Sequence, residues 1–147
     1  MQFTGANIKN GKMRGEWAEL LFMARASEQG LSVSKPLGDS RAYDVIVEHL
    51  GKLLRVQVKS TTYSSFRSYI CHLHGHKHRR YTSDEIDFVA AYIVPKNIWF
   101  IFPVAVIMKV HSSMVLSPHL KVSKYGEYQE AWHLMRGEGN LASEARM

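Results

Sequence analysis

Apolar and polar positions alternate along Ala42–Leu50 and again along Leu53–Tyr63. A period of two predicts two strands, each with one buried face. Gly51-Lys52 lies between them, and a two-residue loop with glycine first suits a type II′ hairpin turn. Upstream, Met13, Trp17, Leu20, Leu21, Ala24 and Glu28 recur at helical spacing. They predict a helix over Met13–Gln29, stopped by Gly30, with a short strand over Leu31–Leu37 after it. Further strands are expected at Arg67–His76, in the same sheet, and at Phe88–Val94, Ile98–Phe102 and Met114–Ser117. The runs Phe88–Val94 and Ile98–Phe102 are apolar throughout, which predicts cover on both faces. Tyr128, Ala131, Trp132 and Met135 predict a last helix, ended by Gly137. Residues 1–11 and 138–147 lack a pattern and are expected to be loose. The order of helix, strands and helix predicts a single α/β (α+β) domain over residues 1–147, a sheet with flanking helices.

The hairpin separates its residues by chemistry. With a turn at Gly51-Lys52, Asp44 lies opposite Lys59, Ile46 opposite Gln57 and Glu48 opposite Arg55. All six then share one face. Val45, Val47, Val56 and Val58 share the other, the predicted core. One face of a hairpin thus carries a carboxylate, an amide and an ammonium within mutual reach. An exposed ion pair between Asp44 and Lys59 is the plain reading of such a patch. Against it, Gln57 and Lys59 sit among valines in a strand followed by more strands, where unpaired polar groups are costly. Glu16 and Glu19 on the preceding helix offer a further carboxylate. Two carboxylates and an amide oxygen suit a hard divalent cation, which keeps waters and substrate phosphate as its remaining ligands.

Composition narrows the partner. The chain has 147 residues, one cysteine and a formal net charge of +6. No run is long and apolar enough to cross a membrane, and the first ten residues lack the apolar region of a secretory signal. A single cysteine excludes an internal disulfide and fits the cytoplasm. Between Glu48 and Asp84 there is no acidic residue, while Lys52, Arg55, Lys59, Arg67, Lys77, Arg79 and Arg80 fall there among Tyr63, Phe66, Tyr69 and Tyr81. Cations interleaved with aromatic rings suit DNA, with Arg55, Arg67, Lys77, Arg79 and Arg80 as the candidate phosphate contacts. His72, His74, His76 and His78 alternate toward a strand end, where phosphate contact or plain exposure is expected rather than zinc. Asp84-Glu85-Ile86-Asp87 precedes a buried strand and either caps it or supports the hairpin site.

Gly15-x-x-x-Glu19, Gly30-x-x-Val33, Tyr43-Asp44-Val45-Ile46 and Val56-Gln57-Val58-Lys59, in this order, resemble the PD-(D/E)XK nuclease superfamily. The spacing is especially similar to that of archaeal Holliday-junction resolvases and intron-encoded homing endonucleases of this type. The likeness runs over roughly residues 12–103. It implies a restriction-endonuclease-like mixed central sheet and a metal-dependent DNA endonuclease, with Mg²⁺ as cofactor and Mn²⁺ as a substitute. By the same resemblance Asp44 is the central metal ligand and Glu19 the outer carboxylate. Gln57 holds the acidic position of the motif, the Val58 carbonyl is a further metal ligand, and Lys59 contacts the scissile phosphate or orients the attacking water. On the helical wheel alone Glu16 competes with Glu19; the spacing to Gly30 favours Glu19. Tyr43 replaces the proline of the motif, and Gln57 removes one negative charge. The QxK form and the longer C-terminal portion favour the homing type over the resolvase type. A catalytically silent DNA-binding module is the other outcome. Cutting both strands of a duplex implies a homodimer or homotetramer.

Overall fold

The computed structural model describes residues 7–75 and 79–138. Met1–Ala6, His76, Lys77, His78 and 139–147 lie outside them, so Lys77 as a phosphate contact and most of the two expected loose ends are not described.

Helix α1 spans Gly11–Glu28 and begins two residues before the periodicity predicts, because Asn10 caps it. Its Oδ1 accepts the N–H of Lys12 at 3.0 Å and of Met13 at 3.1 Å. These are donors that a helix start otherwise leaves open. The helix stops where Gly30, at φ +80°, takes the left-handed conformation.

The buried stripe of α1 is Ala18, Phe22 and Ala26, not the stripe of large apolar residues. Met13 and Leu20 are 60% and 63% exposed. The two alanines let the helix backbone approach the sheet, and Phe22 fills the space between. Its ring lies 5.5 Å from that of Trp99 and 5.6 Å from that of Trp132. Burying such a ring contributes on the order of 1.5–3 kcal/mol.

The central sheet is mixed and has five strands: β1 (Ser32–Ser34), β2 (Val45–His49), β3 (Lys52–Thr61), β6 (Phe88–Ile93) and β7 (Ile98–Pro103), in the order β1-β2-β3-β6-β7. Only β3 and β6 run parallel. The hairpin register differs from the expectation. Val45 faces Val56 and His49 faces Lys52, so the turn is Leu50-Gly51. Both turn residues have positive φ, at 51° and 81°, the type I′ pattern with glycine second. The pairing is thereby shifted two positions, and Asp44 comes opposite Gln57 rather than Lys59. A shift of two preserves the faces.

A second sheet of three antiparallel strands comprises β4 (Ser64–Ser65), β5 (Ser68–His72) and β8 (Ser113–Leu116). The segment expected as a third strand beside the hairpin thus forms a sheet of its own. One hydrophobic core lies between α1 and the central sheet, where Val45, Val47, Val56 and Val58 meet Phe22 and Trp99. The other lies on the opposite face, where Val89, Ala91, Phe100 and Phe102 meet Tyr69, Cys71, Met114 and Leu116. This is why β6 and β7 are apolar on both faces. The apolar run continues past β7 into α2 (Val104–Met108), a short helix the sequence reading did not separate.

The predicted C-terminal helix is instead two 3₁₀ turns, Gly126–Tyr128 and Trp132–Arg136. Glu130 interrupts it at φ 50°. Its carboxylate accepts the Trp99 N–H at 2.9 Å and the Trp132 Nε1–H at 2.7 Å, so the chain is tied to β7 where a helix would continue. Among the described residues no helix is long and apolar enough to cross a membrane.

Candidate active site

Alternation along β3 directs Val56 and Val58 into the core under α1, while Arg55, Gln57 and Lys59 face the other way. That second face opens into a cleft of about 1470 Å³, lined by Asp44, Gln57 and Lys59 together with Arg41, Tyr43, Arg55, His74, Arg79, Arg80 and Tyr81. The three hairpin residues singled out by the sequence therefore share one cavity.

Asp44 is fixed where it enters β2. Its N–H donates to the Val56 carbonyl and its Oδ2 accepts the Val58 N–H, each at 2.8 Å. Glu19 reaches the same point from α1, where its carboxyl and that of Asp44 interact. Its side chain is largely covered, whereas Glu16 is exposed on the outside of the helix. The helical wheel pointed the other way because it took the large apolar residues as the inner face. Burial and the neighbouring Asp44 push the Glu19 carboxyl up to about 7. Burial also raises Asp44, moderated by the Val58 N–H. Two half-covered carboxyls so placed do not readily ionise together, an effect that nearby cations offset in part.

Lys35, which the sequence reading passed over, stands 3.7 Å from Glu19 Oε2. Its only sequence signal is a cation just beyond a strand that pairs with β2. Lys59 is also held: its Nζ donates to the His74 carbonyl at 3.0 Å and lies 5.3 Å from the centre of the Tyr81 ring. Neither contact was legible, since both come from the segment after β5. Gln57 Nε2 donates to the Val58 carbonyl at 3.3 Å, which occupies the oxygen expected to bind metal.

The donor set fits a hard divalent cation: two carboxylates from α1 and β2, with an amide beside them. Among the described residues no three His, Cys, Asp or Glu side chains converge on a metal site, so the remaining ligands would be the Gln57 or Val58 oxygens and waters. Of the four alternating histidines, His76 and His78 lie outside the described residues.

Several of the expected phosphate contacts are engaged within the protein. The Arg55 guanidinium binds both Asp87 oxygens and the carbonyls of Ser83 and Asp84. Asp87 in turn accepts the Arg55 N–H at 2.8 Å, so the acidic segment staples β3 to β6 rather than serving the carboxylate pair. Arg80 donates to the carbonyls of Met108 and Val110, each at 2.8 Å. Arg79 is exposed and pairs with Glu85 at 3.0 Å. Arg67 is exposed at the tip of the β4–β5 hairpin.

Comparison with known proteins accords with this geometry. The structure of a bacterial homing endonuclease, I-Ssp6803I, is similar with a TM-score of 0.78 and 29% identity, over 90% of this chain and 97% of that one. Hjc, a Holliday junction resolvase from the archaeal hyperthermophile Archaeoglobus fulgidus, matches with a TM-score of 0.47 and 14% identity, over 71% of this chain and 84% of that one. No curated protein matches. The family model described as PD-(D/E)XK endonuclease matches residues 9–135. With the mixed sheet, the hairpin and its one polar face in the order this family requires, the chain belongs to the PD-(D/E)XK endonucleases.

Proposed function

We propose that this protein is a metal-dependent DNA endonuclease of the homing type, hydrolysing phosphodiester bonds with Mg²⁺, for which Mn²⁺ substitutes. The observation that carries the reading is the contact of Glu19 with Asp44 beside a cleft lined by Gln57 and Lys59. Glu19, Asp44 and the oxygens of Gln57 and Val58 would hold the cation. When bound, it supplies Lewis-acid polarisation of the phosphate and a water of lowered pKa.

The chain's own residues do the rest. Asp44 is oriented by the Val58 N–H, so its free oxygen is fixed before any ligand arrives. Lys59 carries its ammonium on the cleft side of β3, where it holds a phosphate oxygen or the attacking water and stabilises developing negative charge. Rotation of the Gln57 amide releases the Val58 carbonyl and turns an oxygen toward the carboxylates. The +6 net charge draws the DNA in. Each chain carries one such site, so cutting both strands calls for a homodimer or homotetramer.

The test is supercoiled plasmid and a branched junction incubated with the protein and Mg²⁺, then with chelator. Nicking or linearisation that chelator stops supports the reading, and preferred cutting of the junction assigns the resolvase type instead. Tight plasmid binding with no cleavage in Mg²⁺ or Mn²⁺ would make the protein a silent DNA-binding module.

A further inference from the structure

The strand that carries Gln57 and Lys59 runs directly into the β4–β5 hairpin, whose tip is Phe66-Arg67. Three features of this tip do not follow from folding. Ser65 pairs with Ser68, so the loop is the two-residue type I′ kind. That kind needs positive φ at both positions and is ordinarily Asn-Gly. Phe66 and Arg67 instead sit at φ 50° and 68°. Left-handed backbone at a bulky residue is strained. Leu50-Gly51 at the other hairpin at least has glycine second. In addition, Phe66 is 100% exposed, so no packing offsets that strain.

The base of this hairpin is locked while its tip projects. Thr61, the one buried polar residue among those described, donates its hydroxyl to the Ile70 carbonyl at 2.7 Å and accepts the Tyr63 N–H at 3.2 Å. Ser68 and Ser117 hydroxyls meet at 2.7 Å, tying β5 to β8. The base of the hairpin is thereby hydrogen-bonded to the end of β3. Phe66 lies seven positions after Lys59, a reach of at most about 25 Å. At about 3.4 Å per base pair that is within roughly seven steps of a phosphate at Lys59.

We propose that Phe66-Arg67 is a DNA-probing wedge: Phe66 inserts between stacked base pairs and Arg67 anchors on the adjacent phosphate. It rests on the endonuclease reading and adds how the site would select DNA. Apolar wedges of this kind unstack a step and bend the duplex, most cheaply at flexible pyrimidine–purine steps. Duplex DNA is favoured over a protein partner by the cation beside the ring, by exposed Tyr63 on the same hairpin arm, and by the lack of any acid between Glu48 and Asp84.

Insertion unwinds DNA, which makes it measurable without a known target. Relaxed closed plasmid is bound by the protein with Ca²⁺ in place of Mg²⁺, treated with a metal-independent topoisomerase, and stripped of protein. The wild type is expected to leave negative supercoils in proportion to the protein bound. Phe66→Ala loses them and binds plasmid about tenfold more weakly, the scale of one lost aromatic stack. Phe66→Asn with Arg67→Gly supplies the chemistry the turn prefers; it loses the unwinding while its melting temperature rises. Unwinding unchanged in both variants overturns the wedge. So does a change confined to the sedimentation of DNA-free protein, which would assign the tip to self-association. Wild-type plasmid binding and Mg²⁺ cleavage without unwinding overturns the wedge and leaves the endonuclease reading standing. Absence of both binding and cleavage overturns the two together.

Discussion

The carboxyls of Glu19 and Asp44 interact across the seam between α1 and the start of β2. Both are largely covered and both carboxyls are raised above their ordinary range. A protein organised for stability alone would not retain such a pair, because its charges repel in a medium that screens them poorly. On the proposed reading, its value lies in the cation it would receive.

Replacing one member separates activity from stability. Asp44→Asn keeps an oxygen for the Val58 N–H and removes one charge. Cleavage of plasmid is expected to fall by on the order of 100-fold or more, with the melting temperature unchanged or higher. Activity assays set beside thermal unfolding check both halves.

Restoring the acid of the family motif acts in the other direction. Gln57→Glu adds a third negative charge beside Asp44. The Mg²⁺ concentration needed for half-maximal activity is expected to drop on the order of tenfold. A metal titration of cleavage measures it.

Acid sensitivity of the fold is traced to Asp87. Burial acts to raise its carboxyl, but the hydrogen bonds from the Arg55 side chain and N–H, and the Arg55 charge, outweigh it and hold it below the usual range. A folded-state value below the unfolded one gives stability that is present above about pH 4, the ordinary carboxylate value. It is lost as pH falls through the lower, folded value. Arg55→Met is expected to lose about 1 kcal/mol at neutral pH, the figure kept small because both side chains are one-third exposed. The gap to the wild type should close below that range in urea unfolding followed against pH.

The helix-to-sheet core depends on one ring. Phe22→Ala is expected to cost about 3–5 kcal/mol, whereas Leu20→Ala, on the exposed side of the same helix, should cost under about 0.5 kcal/mol. Denaturant unfolding of the two variants distinguishes them.

The sequence carried the faces of the hairpin but not its register. Valines at 45, 47, 56 and 58 announce the core, and parity alone then puts Asp44, Gln57 and Lys59 on the other side. The register depended on whether Leu50-Gly51 or Gly51-Lys52 made the turn, and both are compatible with local chemistry. The inner face of α1 was misread because Ala18 and Ala26 weigh little in a periodicity count, although small residues are what close packing requires. The strand expected at Arg67–His76 was placed in the sheet of the hairpin, but β5, Ser68–His72, pairs with β8, a neighbour that nothing local to the segment names. The contacts that hold Lys59, from His74 and Tyr81, depend on that pairing and so were hidden with it. Tyr128–Met135 kept helical spacing, but the tertiary bonds of Glu130 overrode it.

The central claim is that one polar face of the β2–β3 hairpin, completed by Glu19, cuts DNA. The most direct measurement compares wild type with Lys59→Ala on supercoiled plasmid in Mg²⁺, with plasmid binding in Ca²⁺ measured alongside. Metal-dependent nicking by the wild type, lost in a variant that still folds and still binds, is the expected result. Equal nicking by both proteins would contradict the account.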